Sequence, residues 1–535
     1  MAQQYDSADV VVIGSGICGA LVAERLVKQG MSVLILEAGP RIDRGRITAN
    51  YRNSPRKGDW VAPYDPGVPW APHPVFHPKD NGYLVQAGPY PYPAEYLRVV
   101  GGTTWHWAAH AWRVLPNDMR LKTLYGVGKD WPISYDDLEP FYYEAEVKMG
   151  VSGAPNTGSP RTKPFPMEPV VEPWAMKRVR ERLAPGGYSV VTNTTARNSR
   201  NYDGRPACCG NNNCQPICPI DAQYTGGIAV QAAEKAGAHV LPNAVVYRLE
   251  HDASGKIMAV HYYDPDKGTH RVTGKIFVLA ANGIESPKLL LLSASDKYPT
   301  GIANSSGMVG RHLMDHPSSS LTFDADEEMW LGRGPQSPSS INTLRDGAFR
   351  SESAAFRLDF TNISQVRAVT EDLIKAGVYG AELEKQLRYH AARQMNLKTV
   401  LEVLPNPENR VTLSSHKDAL GLPTPQVHYA LDDYVHKGAA MGKQHFARIA
   451  ELLGGTNLRF TPDGQYANNQ HITGTLSMGH DPKDSVVDAF GRTHDHENLF
   501  IASTGVMPTA ATVNSTLTAV ALALRTAEHI HATMA

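Results

Sequence analysis

Residues 208 to 218 read CCGNNNCQPIC and run straight into Pro219, so Cys208, Cys209, Cys214 and Cys218, four of the chain's five cysteines, share one short window. Thiols this close are a metal or disulfide site rather than scattered core residues. Five cysteines in 535 residues make no disulfide framework, and a vicinal Cys208–Cys209 bridge is strained. Zinc calls for paired C-x₂₋₄-C knuckles, which one window does not supply. Thiol redox catalysis calls for C-x-x-C, which is absent. An iron–sulfur cluster fits best, because a cysteine run closing on Cys-Pro echoes ferredoxin-type segments. Adjacent side chains point in different directions, so Cys208 and Cys209 are not expected to bind one cluster together. The ligand set is then Cys208, Cys214 and Cys218, with Cys209 left as a further candidate that packs nearby or meets a partner subunit. The Asn211–Asn213 turn is expected to offer N–H groups to the cluster sulfurs.

A second constellation lies at the N-terminus. Gly14, Gly16 and Gly19 form G-x-G-x-x-G, and Glu37 follows 18 residues after Gly19. Glycines at these points let backbone approach a pyrophosphate, and the helix that follows offers N–H groups and the positive end of its dipole. Glu37 is placed to accept hydrogen bonds from a ribose diol. Cys18, inside the turn, reads as a small packing residue.

These groups need strands and a helix to hold them. Ala8 to Ile13 (ADVVVI) suits a buried parallel strand, the next segment turns Leu21, Val22, Leu26 and Val27 inward as a helix, Gly30 ends it, and Met31 to Leu36 forms the next strand. A glycine turn in this context is a genuine nucleotide site, and its position at the extreme N-terminus, closing on Glu-Ala-Gly-Pro, leans toward FAD. The chain is too long for one core, so two or more domains are expected. A formal charge of −1 gives a nucleic-acid partner no electrostatic support. No run of eighteen apolar residues spans a membrane. Met1 to Ser7 is polar and runs directly into the first strand, so no signal peptide is expected, which by itself reads as cytoplasmic folding. Lys275–Ala280 and Asn498–Ala502 read as further buried strands, while Phe356-Leu358-Phe360 and Thr399 to Leu404 alternate as antiparallel strands do. The Pro-, Tyr- and Trp-rich segment from Asn53 to Pro93 reads as an ordered loop.

Five blocks occur in order: RVVGGTTWHWAAHAW (98–112), AANGIESPKLLLLS (280–293), VGRHLMDHP (309–317), HITGTLSMG (471–479) and NLFIASTGVMPTAATVNST (498–516). Together with the N-terminal fingerprint they resemble the glucose–methanol–choline (GMC) flavoprotein oxidoreductases over nearly the whole chain. The cysteine window and the flanking ARNSRNYDGRP narrow the resemblance to the catalytic large subunit of bacterial membrane-associated dehydrogenases for glucose, fructose, sorbitol or gluconate. The resemblance implies an α/β plus antiparallel-β chain: a discontinuous Rossmann-like FAD domain (1–50, 200–315 and 465–535), a cover excursion (51–199) and a substrate domain on an antiparallel sheet (316–464). It implies FAD bound by Gly14, Gly16, Gly19, Glu37, Gly101, Gly102, His106, Val246, Ala281, Ser503 and Thr516, and a [3Fe–4S] cluster on the cysteines.

It also implies a catalytic pair, His471 and Asn514. Oxidising an alcohol requires a base for the hydroxyl proton while a hydride leaves carbon, and a neutral imidazole suits that work. Asn514 would hold the substrate oxygen; many members carry a second histidine at that position, and asparagine there leaves His471 as the one obvious base. His316 reads as scaffold at the domain junction, and His312, His494, His496 and His529 as ordinary histidines. Asn468, Asn469 and Gln470 are candidates for substrate contact. In some members a histidine at the position of His106 is bonded to the flavin 8α-methyl; Gly101, Gly102, His106 and Trp107 keep that spacing, Trp105 departs from it, and a tether and a packing histidine both stay open. The expected activity is oxidation of a hexose, polyol or sugar acid, with single electrons passing to a multihaem cytochrome c subunit. A small subunit with a twin-arginine signal would carry this chain to the periplasmic face of the membrane, so that it meets the membrane only through its partners. The alternatives are a GMC oxidase using O₂, a GMC lyase whose flavin is only structural, and an electron-transfer flavoprotein without substrate chemistry.

Overall fold

The apolar run after Asp6 forms the strand Ser7–Ile13, which lies between Val33–Leu36 and Thr269–Leu279 and parallel to both, with Val12 beside Ile35 and Val278. His239–Leu241 extends this sheet on one side and Leu499–Ile501 on the other, again in parallel. Val10, Val11 and Val12 are fully buried, each worth about 1.5–3 kcal/mol of apolar burial. Such strands read as unbroken apolar runs because helices cover them: Ile17–Lys28 packs against Gly226–Ala236 and Thr516–Met534. The outer half of Thr269–Leu279 pairs antiparallel with Ile257–Tyr263, and that strand with Val245–His251.

The computed structural model describes residues 5–55, 61–64, 67–74 and 82–534. Part of the aromatic segment read as an ordered loop lies outside the described residues; the described part includes a turn at Ala62–Tyr64 and the strand Val85–Gln86.

A second sheet is antiparallel throughout. Its order is Thr456–Phe460, Ser320–Asp324, Gln394–Leu401, Phe356–Phe360, Ser339–Ile341 and Val190–Thr192. In the sequence F-R-L-D-F, Phe356, Leu358 and Phe360 join the core beneath helix Asp433–Leu452 with Val435, Phe446 and Ile449. Period-two geometry then sends Arg357 and Asp359 to the opposite face. The chain thus combines a Rossmann-like parallel layer with an antiparallel sheet, as the resemblance implies. Two short strands, Pro317–Ser318 and Ala467–Asn468, pair antiparallel, and Met314 bridges to Thr473, which sets residue 316 beside residue 471. Among the described residues no helix is long and apolar enough to cross a membrane.

Candidate active site and cysteine window

The glycine turn is held by its own acid. Glu37 Oε2 accepts from the Ser15 N–H (3.0 Å) and hydroxyl (2.6 Å), and Oε1 from the Gly39 N–H (3.0 Å). Burial pushes the Glu37 carboxyl up, and these hydrogen bonds oppose that push. Gly14 sits at φ +102°, and a Cβ there would lie 2.8 Å from the Ala280 carbonyl oxygen. A Cβ on Gly16, by contrast, would meet nothing within 4 Å. The turn is therefore tight on its protein side and open above Gly16, where helix Ile17–Lys28 begins without a side-chain cap. This is the cradle a pyrophosphate requires, and the residues fit FAD.

The Gly101–Gly102 turn closes over the same place. The Gly101 N–H donates to Ser15 Oγ at 3.1 Å, and a Cβ on Gly102 would lie 3.2 Å from the Gly16 Cα. Ala281 borders Gly14, and Val246 follows Ala244, whose N–H donates to the Glu37 carbonyl at 2.8 Å. Ser503 caps the turn Thr504–Val506, which meets the segment after His471 through Leu476 N–H to Gly505 O at 3.0 Å. Thr516 opens the last helix, two residues after Asn514. His106 is buried, with its ring edge-on to Tyr64 at 5.7 Å.

The catalytic pair expected from the sequence is in contact: Asn514 Nδ2 lies 2.7 Å from His471 Nε2. His316, read as scaffold at the domain junction, is in direct contact with this pair. Its Nδ1 lies 2.9 Å from His471 Nδ1, and its Nε2 lies 2.9 Å from the Ala511 carbonyl oxygen. A carbonyl only accepts, so it fixes the proton on His316 Nε2. His316 Nδ1 is then an acceptor, His471 Nδ1–H donates to it, and His471 Nε2 presents its lone pair to the amide of Asn514. Backbone folding thus selects the tautomer a base needs. No sequence pattern announces this contact, because His316 and His471 are 155 residues apart and are brought together by the Pro317–Ser318 pairing, the Met314–Thr473 bridge and the Asp315 carboxylate.

Burial, then the neighbouring His316, Lys398, Arg357 and His110, hold His471 well below the ordinary imidazole pKa. Burial brings His316 down to about 4. Asp315 Oδ1 accepts from the N–H groups of His316 (2.6 Å) and His471 (2.8 Å), and Oδ2 from that of Gln470 (3.1 Å); burial raises this carboxyl to about 6. Gln470, Thr475 and Ala511 take φ values of +59°, +76° and +58°, conformations that cost a non-glycine residue about 1–2 kcal/mol and concentrate where geometry is over-determined.

Asn469 faces inward as well: its amide donates to His316 O (2.6 Å) and Ser318 Oγ (2.7 Å), and its oxygen accepts from Lys398 Nζ (3.0 Å). Asn468 instead donates to Pro91 O, and Gln470 to Glu95.

All five cysteines are free thiols. Cys214 and Cys218 are buried, Cys208 is half-buried and Cys209 is exposed. Burial raises the Cys208 thiol; Arg197 and the Gly210 N–H oppose the rise, while Cys214 and Cys218 add to it as like-charged neighbours. The three sulfurs are not among the groups converging within 4.8 Å; by its chemistry, a thiol donor set in one window fits an iron–sulfur cluster. The Gly210 N–H acts on the Cys208 thiol; within the asparagine turn, Asn213 N–H donates to Asn211 Oδ1, and the Asn212 amide donates to Gly334 O and Asn362 O, both at 2.8 Å.

The window is stitched to the loop after Gly102. Gln215 Nε2 donates to His106 O (3.0 Å), and Gln223 Nε2 to Trp107 O (2.7 Å) and Cys214 O (3.3 Å). Tyr64 OH donates to Pro216 O at 2.6 Å.

Residues 187–318 and 405–523 match the N- and C-terminal models of the GMC oxidoreductases, and residues 12–73 match a NAD(P)-binding Rossmann-like domain. The chain is 50% identical to the fructose dehydrogenase large subunit of Gluconobacter japonicus, covering 99% of both chains. It is 29% identical to the 6'''-hydroxyparomomycin C oxidase of Streptomyces lividus, over 98% of this chain and 91% of that one. Its fold is similar to that of pyridoxine 4-oxidase from Mesorbium loti, with a TM-score of 0.66, 19% identity and 99% coverage of each chain.

Proposed function

The chain belongs to the GMC oxidoreductase family and is an enzyme that oxidises CH–OH donors; from that premise we propose that its donor is a hydroxyl of a hexose, polyol or sugar acid and that His471 is the base that takes the hydroxyl proton. The half-chain of hydrogen bonds from Ala511 through His316 to His471 carries this reading, because it leaves one unprotonated imidazole nitrogen facing Asn514. The substrate oxygen would accept from Asn514 Nδ2–H while its own proton passes to His471 Nε2. The imidazolium so formed keeps its Nδ1–H bond to His316, and a base so placed is worth about 10²–10⁴-fold in rate. FAD, held by Gly14, Gly16, Gly19, Glu37, Gly101, Gly102, Val246, Ala281, Ser503 and Thr516 with His106 beside it, would supply the hydride acceptor. A [3Fe–4S] cluster on Cys208, Cys214 and Cys218 would supply the one-electron outlet.

The 50% identical relative favours a sugar, fructose first, as the substrate to try. Its designation as a large subunit supports further subunits here: a small one bearing the export signal and a multihaem cytochrome c, which would hold this chain at the periplasmic face of the membrane. Whether FAD is tethered to His106 is read from flavin fluorescence on the acid-denatured polypeptide.

The test of function is anaerobic titration of the holoenzyme with a sugar panel, following flavin absorbance and the cluster by electron paramagnetic resonance. Bleaching by a sugar, lost in His471→Ala, is expected. No bleaching by any sugar would leave the lyase reading. Full turnover with O₂ in a Cys214→Ser variant would leave the oxidase reading.

A further inference from the structure

The charged face of the antiparallel sheet adjoins the histidine pair. Arg357 and Asp359 stand two apart on one strand, and Asp359 is directly opposite Lys398 on the next. Arg357 is fully buried and Asp359 nearly so, a costly place for charge unless it is paired. Arg357 Nε and Nη2 grip Asp359 Oδ1 and Oδ2 at 2.7 and 2.9 Å, and Nη2 also donates to Asn514 Oδ1 at 3.1 Å. That last bond turns the Asn514 amide so that its Nδ2 faces His471.

Two polar atoms here are left over. Arg357 Nη1 and His110 Nδ1 are buried with no hydrogen-bond partner among the described residues. His110 lies within electrostatic reach of Asp359, Arg357 and Lys398 and also acts on His471, so it faces the same space. Trp112, from the same block, lies under the guanidinium at 5.2 Å.

Resting on the reading of His471 as the base, we propose that Arg357, Asp359 and Lys398, with His110 opposite, form the hydroxyl-reading wall of the substrate pocket, and that this wall selects an uncharged polyhydroxy substrate over a sugar acid. A carboxylate is bound best by a guanidinium through two parallel N–H bonds. Both edges that could do this are spent: the Nε/Nη2 edge holds Asp359, and the second Nη2–H holds Asn514. What remains on Arg357 is Nη1, which suits a single hydroxyl oxygen. Asp359 keeps lone pairs for a hydroxyl proton, while its charge is matched by the Arg357 guanidinium. Lys398 supplies one more donor and is held in place by Asn469. A diol bridging these groups gives and receives hydrogen bonds at once, which a carboxylate group seated in the same place cannot.

The experiment measures kcat/KM of the holoenzyme for a neutral hexose and for the corresponding hexonic acid, and the Kd of each by calorimetry in a His471→Asn parent that does not turn over. Wild type is expected to prefer the neutral hexose. Asp359→Asn is expected to weaken hexose binding and to narrow the preference, each by about tenfold or more, since a group built to bond a hydroxyl is left unmatched. Should Asp359→Asn lose its flavin, Lys398→Met, at a half-buried position, is expected to raise the KM for hexose while kcat changes less. Arg357→Lys tests positioning: it should lower kcat, because lysine cannot hold Asp359 and Asn514 together. A wild type that prefers the hexonic acid, or an Asp359→Asn or Lys398→Met variant with unchanged hexose affinity and preference, overturns the proposal even if sugars still bleach the flavin. If no sugar bleaches the wild-type flavin, the reading of function itself fails.

Discussion

The histidine pair and the cysteine window are built to opposite standards. Around His471 the imidazole nitrogens of the pair and the Asp315 carboxylate oxygens have partners at 2.6–3.1 Å. The cysteine window grades from buried Cys214 and Cys218 through Cys208 to exposed Cys209, and it is tied down through the Asn212 and Gln215 amides and the Cys214 and Pro216 carbonyls. Under the proposed function, the difference follows from what each end would handle. A proton moves only between atoms in hydrogen-bond reach, so its donors and acceptors are fixed in advance. An outlet for electrons needs thiolates free to bind metal and a face toward solvent or a partner.

The comparison can be broken from either side. His471→Ala should lower the rate of flavin reduction by about 10²–10⁴-fold, with the iron signal unchanged in electron paramagnetic resonance. Cys214→Ser should do the reverse: sugar still bleaches the flavin in single turnover, while the iron signal and the reduction of a cytochrome acceptor are lost. If Cys214→Ser slows bleaching as much as His471→Ala, the two ends are not separable and the contrast fails.

A smaller effect is expected at His316. Removing its acceptor nitrogen in His316→Phe leaves the His471 Nδ1–H unpaired, at about 1–3 kcal/mol, and should lower kcat by about tenfold to a hundredfold. His316→Asn, which restores an acceptor, should recover part of it.

The smallest effect is on pH. Because burial holds His471 well below the ordinary imidazole value, the base stays neutral into mildly acidic solution. The acid limb of kcat/KM should therefore lie below pH 6.5, the ordinary imidazole value. Lys398→Met, which removes a positive neighbour, should move it upward. The same depression links to stability: the contribution of neutral His316 is present above its unfolded pKa of 6.5 and is lost as the pH falls through about 4. Melting temperatures across that window check it.

Much of the parallel layer was legible in the sequence because its signals are local. The strand from Ala8, the turn at Gly14 to Gly19 and the closing Gly30 lie within thirty residues of one another, and each is found, with the second strand starting at Val33 rather than Met31. The catalytic contact of His471 with Asn514 was legible only through the family resemblance. The polar wall was not legible at all. In F-R-L-D-F the apolar face is evident, but a charged residue on the other face of a strand ordinarily meets water; here it meets Trp112 and Asn514, brought by segments far away in the chain. The contact of His316 with His471 was out of reach for a related reason, since its tautomer is set by a carbonyl, that of Ala511, which no side-chain pattern announces.

One consequence follows from where the two clamps on His471 originate. Its Nδ1 side is referenced through His316 to Ala511, and its Nε2 side to Asn514, three residues further along the same segment. A shift of that segment moves both references together, so the error is common to both and cancels in the imidazole's orientation. The ring is gauged from a single datum, and the left-handed backbone of Ala511 keeps that datum from turning.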